Sequence, residues 1–186
     1  KLLDLIGANE LTRVTEYLVK EVNRLASAGA DFGVLAARTP HIVFDELHRQ
    51  ASIPLISIVE ATCVVAGDLE LKRLGLFGSR FTMQGRFYPD VFSAAGISLV
   101  APQPVEQTYI HAKYMSEWVN GIFLPETRME LLKIVDRLKT QESIQGLILG
   151  GTELPLILRD ATYRGIPLLD PTKIHVAVIV AQLFAA

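Results

Sequence analysis

Short, uninterrupted apolar runs alternate along this chain with stretches of helical periodicity, and that alternation restricts the fold more than any other feature. Residues 32–37, 53–58, 72–77, 97–100, 144–149 and 166–169 read as strands. Strands that are apolar at nearly every position need cover on both faces. Between them, residues 9–29 repeat Val14, Leu18, Val22 and Leu25 at three- and four-residue steps, and Gly29 closes the helix. Further helices are expected at about 39–50, 60–69, 82–95 (stopped by Gly96), 106–120, 127–139, 153–162 and 173–185. Thr39 reads as an N-cap with Pro40 at the first helical position. Thr127 with Glu130 has the spacing of a capping box. The order is that of an α/β protein with parallel sheets flanked by helices.

Two stretches match at a constant offset of 113 residues. Gly33, Thr39 and Ile53-Pro54-Leu55 repeat as Gly146, Thr152 and Ile166-Pro167-Leu168. Both read as strand, threonine-led helix, strand, which points to a duplication. The strand at 72–77 would have its partner about 40 residues before Lys1. The expected architecture is therefore two pseudo-symmetric Rossmann-like domains, the first lacking its opening strand region. Residues 1–70 with 171–186 would form the first half and 71–170 the second.

Half of the 186 residues are hydrophobic, one fifth are charged, the mean hydropathy is +0.33 and the net charge is −2. That excludes a disordered chain, and without a basic patch it argues against a nucleic-acid partner. A single cysteine permits no internal disulfide and suits the cytoplasm. No apolar run reaches the roughly 18 residues of a membrane span. The apolar segment 175–186 reads as a buried helix. Zinc-ligand spacing, a P-loop and a Gly-x-Gly-x-x-Gly pattern are absent, so no metal or cofactor is expected.

Ligands of open parallel sheets bind beyond the carboxyl ends of the strands. Four such ends lead into helices through small or hydroxylic residues: Ala37-Arg38-Thr39, Gly78-Ser79-Arg80-Phe81-Thr82, Gly150-Gly151-Thr152 and Asp170-Pro171-Thr172. Free N–H groups, helix dipoles and hydroxyls there would cradle a small carboxylate. Each threonine taken alone reads as a helix cap before a ligand contact; the four matched positions carry the argument. Arg38 and Arg80 are candidate carboxylate partners or surface residues. His41 and His175, in comparable places, are candidate acid–base groups or packed histidines. Cys63 reads as helix packing and Glu153 as a cap.

Four motifs resemble those of the aspartate/glutamate racemase superfamily, in the right order and over essentially the whole chain. Ala37-Arg38-Thr39-Pro40-His41 resembles Cys-Asn-Thr-x-His. Gly78-Ser79-Arg80-Phe81-Thr82-Met83 resembles Gly-Thr-Arg-x-Thr-Met. Gly150-Gly151-Thr152-Glu153-Leu154-Pro155-Leu156 resembles Gly-Cys-Thr-Glu-Leu/Ile-Pro-Leu. Asp170-Pro171-Thr172-Lys173-Ile174-His175 resembles Asp-Thr/Ser-Thr-x-x-His. The resemblance implies cofactor-independent inversion of an acidic amino acid in a cleft between two domains of a homodimer. In that family two thiols work on opposite faces of the substrate. Here Ala37 and Gly151 stand at those two positions, and neither can carry a proton. By position, substrate-gripping roles fall to Thr39, Ser79, Thr82 and Thr152, with Arg38 in place of the usual asparagine.

Three functions remain open at this level. One is a racemase or isomerase with substitute bases such as His41, His175 or bound water. The second is a non-catalytic carboxylate-binding or regulatory homologue, and the third a decarboxylase- or lyase-type relative.

Overall fold

The computed structural model describes residues 2–185. The chain divides into two compact units, Lys1–Ser57 and Ile58–Ala186.

The first unit contains α1 (Leu2–Gly7), α2 (Leu11–Ser27), β1 (Gly33–Val34), a 3-10 turn at Thr39–Val43, α3 (Phe44–Gln50) and β2 (Leu55–Ile56). Strands β1 and β2 pair in parallel. The apolar face of α2, through Val14, Leu18 and Val22, packs with Val43, Phe44, Leu47 and Leu55. Gly29 takes φ +90 just past the end of α2, where a left-handed residue turns the chain out of the helix. Thr39 is not a cap as expected. Arg38 holds the N-cap position, and Thr39 and Pro40 open the 3-10 turn without a side-chain cap bond.

The second unit runs through α4 (Ile58–Asp68), β3 (Arg73–Gly78), α5 (Arg80–Gln84), α6 (Phe87–Ala94), β4 (Ser98–Val100), α7 (Pro104–Ser116) and a 3-10 turn at Trp118–Asn120. It continues with α8 (Pro125–Gln141), β5 (Gly146–Gly150), α9 (Leu154–Ile157), β6 (Thr162–Tyr163), β7 (Ile166–Leu169) and α10 (Pro171–Phe184). Its sheet has the order β4-β3-β5-β7-β6. All pairings are parallel except β6 with β7. Side chains of β3 and β5 alternate between two cores. Phe77, Leu147 and Leu149 join Ile110, Trp118 and Leu131 on one side; Leu74, Leu76 and Ile148 join Ile58, Tyr88 and Phe92 on the other. Burial on both faces is what the continuous apolar strands required.

Several boundaries differ from the sequence expectation. Contacts divide the chain at Ser57/Ile58 rather than at 70/71, and α10 falls within the second unit. The cause is packing: Ile58, Val59, Cys63 and Ala66 of α4 belong to the core beneath β3 and β5, and Ile174 of α10 packs on the same cluster. The helix expected at 82–95 is broken into α5 and α6 at Gly85. The helix expected at 153–162 stops at Ile157, and the chain returns through the β6–β7 hairpin. Helix α8 starts at Pro125, so Thr127 forms no capping box. Thr127 instead donates to the carboxylate of buried Glu117 at 2.7 Å. Burial alone would raise the Glu117 pKa, but Lys113 and Thr127 hold it below the ordinary value.

Helix α10 is not the buried helix its composition suggested. Only Pro171 and His175 are buried, while Val176 and Leu183 are 53% and 58% exposed. It packs against α4 and, less extensively, against β5.

The repeat survives as topology. Gly33 and Gly146 each open a strand whose parallel partner carries the Ile-Pro-Leu segment or its end. The registers differ by one residue: Gly33 faces Leu55, whereas Leu147, not Gly146, faces Leu168.

Candidate active site

In the second unit, the connection after β3 leads to β4 on one side, and β5 and β7 lie on the other. The reversal falls between β3 and β5, and the carboxyl end at such a reversal is where open α/β sheets take ligands. Gly78 and Gly150 are register partners at that point. A Cβ on Gly78 would lie 2.7 Å from the Gly150 carbonyl oxygen and from Thr82 Cβ. The two glycines let the strand ends and Thr82 approach this closely. Thr82 is 2% exposed, and its hydroxyl lies 3.5 Å from that of Ser79.

Beyond Gly150 the chain turns through Gly151, Thr152 and Glu153. A Cβ on Gly151 would lie 2.5 Å from Cε2 and 2.8 Å from the hydroxyl oxygen of Tyr114. The Tyr114 ring, half-buried on α7, thus occupies the space of a side chain at position 151. Its hydroxyl donates to the Glu153 carboxylate, and the Thr152 hydroxyl donates to the same oxygen at 2.7 Å. Trp118 holds the ring edge-on, with centroids 5.5 Å apart. One turn earlier on α7, His111 Nδ1 accepts from the Arg80 backbone N–H at 3.3 Å. The bond requires a bare Nδ1, so the neutral ring carries its proton on Nε2. Burial, then the Arg80 charge, pushes the His111 pKa down, which favours that neutral form.

The residues expected at the site are therefore only partly grouped. Ser79, Thr82 and Thr152 lie at the β3 and β5 ends, but Thr152 is exposed and already engaged by Glu153. The Arg80 side chain is exposed, and its backbone N–H holds His111. Asp170 acts as a cap, its carboxylate accepting from the N–H groups of Thr172 and Lys173 at 2.9 and 3.2 Å. Helices α5 and α9 are five and four residues long, so the helix dipoles expected after β3 and β5 are weak. Hydroxyls and turn N–H groups supply the polarity instead.

Ala37, Arg38, Thr39 and His41 belong to the first unit. His41 is 3% exposed and stacks on Phe44 with centroids 5.1 Å apart. Its Nδ1 lies 3.1 Å from the Ala37 carbonyl oxygen, which can only accept, so Nδ1 is the protonated nitrogen. His175 is likewise buried, at 4% exposure, as is Arg38. Cys63 packs in the α4 core with its thiol pKa raised by burial and then by Glu60, which is opposite to what a nucleophile needs. Among the described residues, no group of three His, Cys, Asp or Glu side chains is placed to hold a metal ion.

Sequence reasoning missed His111, Tyr114 and Trp118. The three-residue spacing of His111 and Tyr114 puts these two on one side of α7, a signal that was available, while Trp118 lies in the 3-10 turn beyond it. Which strand end that side would cover was not.

The sequence profile of the Asp/Glu/Hydantoin racemase family matches residues 6–179. The chain belongs to this racemase family. It superposes on an aspartate racemase homologue from Pyrococcus horikoshii OT3 with a TM-score of 0.80 and 26% identity, over 90% of this chain and 73% of that one. A candidate Asp/Glu racemase from Yersinia pestis gives a TM-score of 0.89 at 24% identity, over 98% of this chain and 79% of that one. An uncharacterised protein of Pectobacterium carotovorum subsp. carotovorum is 30% identical over 118 residues, which are 62% of this chain and 75% of that protein. The α/β fold with mainly parallel sheets is that of the racemase structures. No helix among the described residues of this family member is long and apolar enough to cross a membrane.

Proposed function

We propose that the chain binds a small acidic amino acid, aspartate or glutamate, at the carboxyl ends of β3 and β5, and moves a proton at its α-carbon without a pair of thiols. Family membership supports the reaction class. The observation that carries the site is the meeting of Ser79, Thr82, Thr152, Tyr114 and Glu153 at the reversal point of the sheet. The Ser79 and Thr82 hydroxyls and the turn N–H groups are the donors offered to the substrate carboxylate, and Arg80 is the nearest exposed cation in the chain sequence. The roles carried over for Arg38, Thr39, His41 and His175 stay part of this reading. The burial of both histidines argues against either as a freely accessible base.

Proton NMR of L- and D-aspartate and L- and D-glutamate in D₂O tests the reading. The expected result is ligand line-broadening for one of these acids, with loss of its α-proton signal. Neither effect with any of the four would sink it. Broadening without signal loss would favour the second reading, a carboxylate-binding homologue, which rests on Ala37 and Gly151 being unable to carry protons.

We also propose a cytoplasmic homodimer. The single cysteine supports the location, and the exposed apolar side chains Val176, Val180 and Leu183 of α10 support the association. Sedimentation equilibrium should give twice the 20.5 kDa chain mass, and Val180→Lys should shift it toward the monomer. A monomer at all concentrations tested would overturn the assembly.

A further inference from the structure

We infer that Tyr114 is the proton-carrying group of this site, standing in the space where the family places its second thiol, with Glu153 as the acceptor of the phenolic proton. This rests on the proposed α-carbon chemistry and names the group that performs it.

Three observations converge. The phenolic oxygen lies 2.8 Å from where a Cβ at position 151 would be, so it occupies the region a short side chain there would reach. Its hydrogen is already committed to the Glu153 carboxylate, which also accepts from Thr152. Trp118, itself fully buried, meets the ring edge-on with centroids 5.5 Å apart and so helps to hold it over Gly151. A side chain at 151 would evict the ring; glycine is the residue that admits it. The loss of a thiol at this position and the arrival of a phenol are thus one structural change.

Tyrosine serves in general acid–base chemistry when a partner takes or gives its proton in the same step. Here the substrate α-C–H bond breaks and its electron pair moves toward the carboxylate carbon, giving an enediolate. The proton passes to the Tyr114 oxygen as the phenolic proton passes to Glu153. Solvent exchanges the protons on both Tyr114 and Glu153 before the reverse steps, which then return a deuteron from the Tyr114 oxygen to the α-carbon in D₂O. Charge and atoms balance without any co-reactant. Ala37 offers no second proton carrier at the family's other position, so the chemistry of Tyr114 is one-sided. Deuterium enters the substrate faster than its configuration is lost.

The test follows α-deuteration and inversion of aspartate and glutamate by the chain and by Tyr114→Phe and Glu153→Gln variants, with amino-acid binding measured on each. Phenylalanine keeps the ring over Gly151 and against Trp118. Tyr114→Phe should lower the exchange rate at saturating amino acid by about 10²- to 10⁴-fold with an unchanged dissociation constant. Glu153→Gln should lower the same rate, again without loss of binding. A purely structural tyrosine would not separate rate from binding in this way. Undiminished exchange by Tyr114→Phe would overturn the inference and leave the acidic amino-acid reading standing. So would loss of binding together with exchange, which would make Tyr114 a ligand anchor. A wild-type chain that binds without exchanging overturns the inference and the proton-moving part of the functional reading, and leaves the amino-acid binding standing. One that neither binds nor exchanges overturns the functional reading and the inference together.

Discussion

Replacing Gly150 with alanine should destabilise the second unit and disorder the site, whereas alanine at the adjacent Gly151 should leave the fold intact. At position 150 the added methyl would lie 2.5 Å from the Phe77 carbonyl oxygen, 2.9 Å from Thr82 Cγ2 and 3.2 Å from Leu76 Cδ1. The first of these is backbone of the neighbouring strand, which cannot turn aside, so β3 and β5 must separate. Overpacking of this kind costs about 1–3 kcal/mol, with strands held on both faces toward the upper end. At position 151 the methyl meets only the Tyr114 ring, the outer end of a side chain that can rotate away. Urea denaturation followed by circular dichroism separates the two. Gly67→Ala is the control, since nothing lies within 4 Å of the added methyl on that helix. Equal midpoints for all three variants would mean that the close approach of the strand ends does not constrain the fold.

Trp118→Ala should be the most damaging single truncation. Trp118 is 1% exposed and belongs to the core that covers Phe77, Leu147 and Leu149. Loss of a buried aromatic of this size costs about 3–5 kcal/mol, part transfer and part cavity. It also removes the surface that holds Tyr114 over Gly151, so the variant that remains folded should exchange substrate protons more slowly. Trp118→Phe fills part of the cavity and should recover much of the stability. As the chain has one tryptophan, wild-type fluorescence reports this place directly, and its emission should shift to the red only when the second unit unfolds. A loss below about 1 kcal/mol for Trp118→Ala, within the range of ordinary surface changes, would show that this core does not depend on the indole.

Much of the architecture was legible because it depends on local period and on residues whose backbone needs are distinctive. The apolar runs at 72–77 and 144–149 became the two central strands, buried on both faces. Gly29 and Gly96 ended helices at positive φ, as sequence alone implied. The glycines at 78 and 150 marked the ends of the two central strands. Local rules misjudged α10, because apolar composition states what a helix can bury and not how many neighbours reach it. They misjudged Thr127 because a buried carboxylate ten residues earlier claimed its hydroxyl.

The sequence by itself determined the layered α/β order and the family, since these follow from period and motif order. Only the tertiary structure decided which side chain lies over Gly151. Tyr114 and Gly151 are far apart in sequence, and their contact is set by how α7 lies across β3 and β5 on a core of Ile110, Trp118 and Leu131. No local preference fixes that crossing. It follows from close packing of side chains drawn from several elements at once, which a single chain segment does not contain.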